Sequence, residues 1–152
     1  MPDASHAPTN LAAKLARALQ ALATDLTFIS ESDYPYKAFS AEMPRTTALT
    51  AESFRAAVGI GRRFTIDMNS AEAFFQQYQD PQDRDPQEVK AYILLEKVMQ
   101  ATLADLHVIY VRGKNVVQVR FYLFGRLEDG SLSGLVSLVS DVGESPSSSP
   151  RT

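Results

Sequence analysis

The feature that most limits what this chain can fold into is a change of period near Val108. Residues 108–112 read VIYVR, residues 116–125 read VVQVRFYLFG and residues 132–140 read LSGLVSLVS, each alternating in the manner of a half-buried strand. Short turns at 113–115 and 128–130 separate them, and Asp129-Gly130 is a strong hairpin signal. Connections this short cannot carry a chain back for a parallel neighbour, so the last third of the protein predicts three consecutive antiparallel strands.

Upstream, the period is mostly helical. Leu11, Leu15, Leu19, Leu22, Leu26 and Ile29 recur at helical steps, with Lys14, Arg17, Gln20 and Asp25 off that stripe and Thr9 or Asn10 placed to cap it. Residues 36–43 have strand composition, residues 50–58 suggest a short helix ending at Gly59, and residues 64–68 alternate again. Asn69 with Glu72 three residues later predicts a capping box before Phe74 and Phe75. Asp85, Pro86 and Glu88 suit the start of a long helix carrying Tyr92, Leu95, Met99, Leu103 and Leu106. Helices followed by a three-strand meander give an α+β class. Two long amphipathic helices need sheet faces to cover, so a three-layer α-β-α sandwich with a largely antiparallel sheet is expected.

A chain of 152 residues, 45% hydrophobic, suits one domain that buries about 68–70% of its unfolded surface. Residues 1–10 read as a flexible leader, 11–142 as the domain and 143–152 as a disordered Ser/Pro tail. The net charge of -3 argues against direct binding of nucleic acid. With no cysteine there is no thiol chemistry, and with no long apolar run there is no membrane span, so the cytoplasm is the expected location.

Catalytic constellations are scarce. His6 and His107 have no second histidine at ligand spacing, and GIGRR at 59–63 lacks the third glycine of a phosphate loop. Arg62, Arg63, Arg112, Lys114 and Arg120 are scattered along the chain rather than gathered into a platform. Glu31 and Asp33 form a close carboxylate pair in a polar turn, where solvation is the commoner fate. Tyr34, Tyr36 and Phe39 can be read as pocket lining or as core anchors. Neither a cofactor nor a metal site of its own is expected, and the chain does not read as an enzyme.

Residues 23–39, ATDLTFISESDYPYKAF, resemble the stretch of nuclease A inhibitor proteins in which a helix ends in a Ser-Glu-Ser-acidic-Tyr-Pro-aromatic turn. The similarity continues through Phe74-Phe75, Pro81-Gln82-Asp83, the long helix, the strands around Gly125 and the SGL at 133–135, while residues 41–61 carry little of it. The resemblance implies an α-β-α sandwich and a cytoplasmic protein that blocks the active site of a sugar-nonspecific, divalent-metal-dependent nuclease, including as an immunity protein.

The resemblance places the partner-binding surface on Glu31, which matches the family's first acidic contact, and on Ser30, Ser32, Asp33 and Tyr34 around it. It adds Gln82, Asp83 and Arg84, the last standing where the family has a loop aromatic. The family's terminal threonine, which reaches the nuclease metal, is matched by Thr152 at the end of the Ser/Pro tail. Two alternatives are a protein-interaction domain of the same fold without inhibitory activity and a small-molecule-binding domain.

Overall fold

The computed structural model of the chain describes residues 7–23, 36–79, 86–113 and 118–140. Along the sequence run α1 (Ala7–Leu22), β1 (Lys37–Ala41), α2 (Ala51–Val58), β2 (Thr65–Ser70), α3 (Ala71–Tyr78), α4 (Pro86–Thr102), β3 (Ala104–Arg112), β4 (Gln118–Arg126) and β5 (Leu132–Ser140). This is the α+β order expected, and every strand pairing is antiparallel. The sheet order is β1-β5-β4-β3-β2, so the predicted meander forms its centre and the two early strands close its edges.

Alternation along the central strands divides the core in two. Val108, Phe121, Leu123 and Leu135 meet Leu19, Phe74, Phe75, Tyr92, Leu95 and Met99 from α1, α3 and α4. Ile109, Val111, Tyr122, Phe124 and Leu132 point the other way and meet Phe54 of α2 with Met43 and Ile60. Helical side chains therefore cover both faces of the sheet.

Local chemistry sets the boundaries, with some departures from the sequence expectation. Helix α1 begins at Ala7, ahead of Thr9 and Asn10, with Pro8 in the first turn, where a missing N–H removes no helical bond. Among its described side chains, Ala12, Ala16 and Leu19 are buried, as is Ala23 just past its end, whereas Leu11 is exposed. The period is the expected one, but the phase is turned toward alanines. Small side chains let α1 lie close to the sheet, where the Ser133 hydroxyl donates to the Ala12 carbonyl at 2.8 Å. Leu26 and Ile29 lie outside the described residues.

Helix α2 starts at Thr50, which forms a reciprocal capping box with Ser53, and ends at Gly59 in the left-handed region at φ 81°. The α3 cap is Ser70, whose hydroxyl accepts from the Glu72 N–H. The expected cap, Asn69, stays in β2 opposite Val108, because strand pairing runs one residue further than the local pattern indicates. The α4 cap expected at Asp85 lies outside the described residues.

The β4–β5 hairpin turns as Asp129-Gly130 predicts. Gly130 has φ 100°, its N–H donates to the Leu127 carbonyl, and the Asp129 carboxylate accepts from the Ser131 N–H. A Cβ on Gly130 would stand 2.4 Å from both the Arg45 nitrogen and the Met43 oxygen. Gly130→Ala is therefore expected to cost at least about 1–3 kcal/mol from the backbone alone. Urea denaturation checks this, and an unchanged midpoint would contradict the packing of this turn on the β1–α2 connection.

Candidate functional site

The sheet register fixes which chain ends stand together. Lys37 pairs with Val136, Gln118 with Ser140 and Thr65 with Arg112, so the start of β1, the exit of β5, the β3–β4 connection and the start of β2 share one end of the sheet. Helix α1 runs toward that end: Ala12 lies against Ser133, and further along Gln20 accepts from the Ala38 N–H at 2.9 Å. Its last turn closes at Ala23, whose N–H donates to the carbonyls of Leu19 and Gln20.

Helix α4 runs in the opposite sense to β3. It hands over to β3 at Leu103 and Ala104, next to Arg126 at the far end of the sheet, and Tyr92 reaches back to Tyr36. Pro86 lies six residues before Tyr92, roughly 9 Å further along the helix axis. Gln79, at the end of α3, lies beside the middle of α4, donating to the Glu96 carboxylate at 2.6 Å.

A buried contact joins the roots of two of these segments. The hydroxyls of Tyr36 and Tyr92 are 3.1 Å apart, with the residues 3% and 0% exposed. Phe121 stands edge-on to Tyr36, and Phe74 edge-on to Tyr92. A hydroxyl in such surroundings needs a partner. Tyr36→Phe is expected to remove the contact between the two buried hydroxyls and cost about 0.5–1.5 kcal/mol. Guanidinium melts of both single variants and the double variant check it, because coupled hydroxyls give losses that do not add. Additive losses would break the proposed coupling.

All the residues expected at the partner surface, Ser30, Glu31, Ser32, Asp33, Tyr34, Gln82, Asp83, Arg84 and Thr152, lie outside the described residues. What can be located is where the chain enters and leaves those stretches. Tyr36 follows residues 24–35, Pro86 follows residues 80–85 and Ser140 precedes residues 141–152, and these three stand toward the same end of the sheet.

Tyr36 and Phe39 do not share a pocket. Tyr36 belongs to the core under α1, α3 and α4, whereas Phe39 packs on the α2 face, 4.8 Å from the Tyr122 ring and 6.0 Å from Phe54. Four arginines are engaged within the fold. Arg55 donates to the carbonyls of Gly61 and Phe64, Arg63 lies over the Phe64 ring, Arg112 pairs with Asp67 at 3.0 Å and Arg120 donates to the Tyr122 hydroxyl. His107 sets Nδ1 2.7 Å from the Asp105 carbonyl, beside a bulge in β3. Among the described residues no cluster of His, Cys, Asp or Glu could hold a metal ion, and no helix is long and apolar enough to cross a membrane.

A family model described as nuclease A inhibitor-like protein matches residues 13–140. The chain belongs to the nuclease A inhibitor-like family. A comparison with curated proteins finds no match. The family match runs from within α1 to the last residue of β5, includes the stretches holding Glu31 and Arg84, and stops before Thr152.

Several residues carrying the family resemblance hold the fold. Phe74 and Phe75 are core residues, Ser133 anchors α1, and a Cβ on Gly134 would stand 2.1 Å from the Leu123 oxygen in the neighbouring strand. Gly125 is likewise closed in by Leu103, Ala104 and Leu106, where α4 turns into β3. The Tyr36–Tyr92 pair escaped the sequence reading, although a tyrosine on an otherwise aliphatic helical stripe already indicates a hydroxyl that needs a buried partner.

Proposed function

We propose that the protein is a non-enzymatic inhibitor of a sugar-nonspecific, divalent-metal-dependent nuclease, seating the acidic turn at residues 30–34 in the nuclease's substrate groove. Family membership supports this most directly. A nuclease groove that binds phosphate presents cationic side chains and a metal ion, so a carboxylate such as that of Glu31 can take over phosphate contacts in a desolvated pocket. Gln82, Asp83 and Arg84 supply a flanking contact, and Thr152 a reach toward the nuclease metal.

The convergence of Tyr36, Pro86 and Ser140 toward one end of the sheet is compatible with a single contact surface fed by all three stretches. With a net charge of only -3, long-range steering is modest, and affinity falls to a few well-fitted groups.

The test is a titration of the purified protein into a magnesium-dependent, sugar-nonspecific nuclease acting on DNA and on RNA. Cleavage of both substrates should stop at equimolar inhibitor, with the end point following nuclease concentration and not substrate concentration. Full cleavage at a large excess of the protein would sink the proposal in favour of an interaction domain without inhibitory activity.

A further inference from the structure

The layer formed by α1 and α4 has an outer surface unlike the rest of the molecule. Leu11, Ile93 and Leu94 are the exposed large hydrophobic residues among those described, and all belong to these two helices. Leu94 is 48% exposed and Leu11 55%. Leu15 and Leu22 of α1, with Ala91 and Val98 of α4, are half-buried against the core between the helices. Leu94 lies three residues after Ala91 and four before Val98, and Leu11 four before Leu15, so both continue that apolar seam outward. The seam opens near Ala101 into a concavity of about 550 Å³ that Leu11 also lines.

Among the described residues, the exposed charges of α1 and those flanking Leu94 are all positive. Lys14 and Arg17 are the charged residues of α1, and both are exposed. On α4, Lys90 and Lys97 are exposed and flank Leu94. Of the α4 carboxylates, Glu96 faces α3, held by Gln79 and Gln100, and Glu88, three residues before Ala91, is half-buried in the first turn. Glu128 and Asp129 appear only at the far mouth of the concavity, alongside Arg126. Among its described residues, an overall acidic protein thus presents an apolar strip flanked by lysines.

We infer that the α1–α4 seam is a docking surface for an acidic amphipathic helix of a partner protein. Two adjacent antiparallel helices with a shallow apolar seam can receive a third helix, whose leucines sit over Leu11, Leu15, Leu94 and Val98. Its flanking carboxylates then face Lys14 on one side and Lys90 and Lys97 on the other, where complementary charge sets register and speeds encounter. A second copy of this chain fits poorly, because a two-fold contact through the same strip would set lysines against lysines.

The probe is a fluorescein-labelled 18-residue helical peptide with leucines at heptad spacing and glutamates on both flanks, titrated with the full chain by fluorescence anisotropy. Saturable binding is expected, weakening on raising salt from 50 to 300 mM. Lys90→Glu/Lys97→Glu and, separately, Leu94→Asp should each reduce affinity at least about tenfold. Both variants change exposed side chains, and their melting curves should match the parent's.

Absence of binding, affinity indifferent to those substitutions, or equal binding of a peptide with glutamine in place of glutamate would overturn the inference. So would binding to phosphatidylserine vesicles without binding to the peptide, or self-association abolished by Leu94→Asp, which would assign the strip to a membrane surface or to a second copy.

Discussion

Phe54→Ala should remove about 3–5 kcal/mol of folding stability and release α2 from the sheet before the rest of the molecule unfolds. Phe54 is the buried residue of this eight-residue helix and is wholly enclosed. Its ring stacks on Phe124 at 5.1 Å and stands edge-on to Tyr122 at 5.0 Å, with Phe39 at 6.0 Å. The capping box at Thr50 and the left-handed Gly59 define where α2 starts and stops, but a helix this short gains little from its own hydrogen bonds. Attachment to the sheet depends on that ring.

Urea denaturation gives the loss, and hydrogen exchange of residues 51–58 compared with the β4 amides shows whether the opening is local. A loss below about 1 kcal/mol would mean that the α2 layer closes over the cavity. Because domains of this kind retain only about 5–15 kcal/mol of net stability, the variant should remain folded but near its limit.

The same comparison of local signal with distant packing explains what could be read from the sequence. Element type and order were legible, because the switch from a helical period to alternation at Val108 is a local property of the chain. So were Gly59 and Asp129-Gly130, where the turn chemistry is carried by one or two residues. The assignment of β1 to β5 was not legible: Lys37 and Val136 are brought together by packing alone.

Large side chains dominated the periodic reading of α1, whereas close approach to the sheet rewarded Ala12, Ala16 and Ala23 and left Leu11 outside. The tyrosine pair at 36 and 92 shows the same limit at the candidate site. Each residue is a plausible core aromatic alone, and their contact appears only once α4 is laid back along the sheet. The family resemblance, by contrast, mixed two kinds of residue. Ser133, Gly134 and Phe74 have a structural reason to be what they are, whereas the SESDYP segment, the most specific part of the resemblance, lies outside the described residues.

The resemblance sets the expectation for Glu31→Ala. If its carboxylate enters the nuclease's basic groove, truncation strands the partner's cationic groups in a desolvated pocket, and binding should weaken by about 2–5 kcal/mol. That corresponds to about thirtyfold to several thousandfold in Kd, mainly through faster dissociation. Asp33→Ala should lose less, because Glu31 and not Asp33 occupies the first acidic position of the turn.

Folding should change by no more than about 0.5 kcal/mol in either variant, the usual range for a polar surface substitution. Surface plasmon resonance against the immobilised nuclease, paired with thermal melts, separates the possibilities. Small and equal losses from both substitutions would show that the turn contributes only diffuse charge and that the interface is centred elsewhere. A fall in melting temperature that accounts for the lost binding would instead make Glu31 a residue of the fold, held in place by the turn that follows α1.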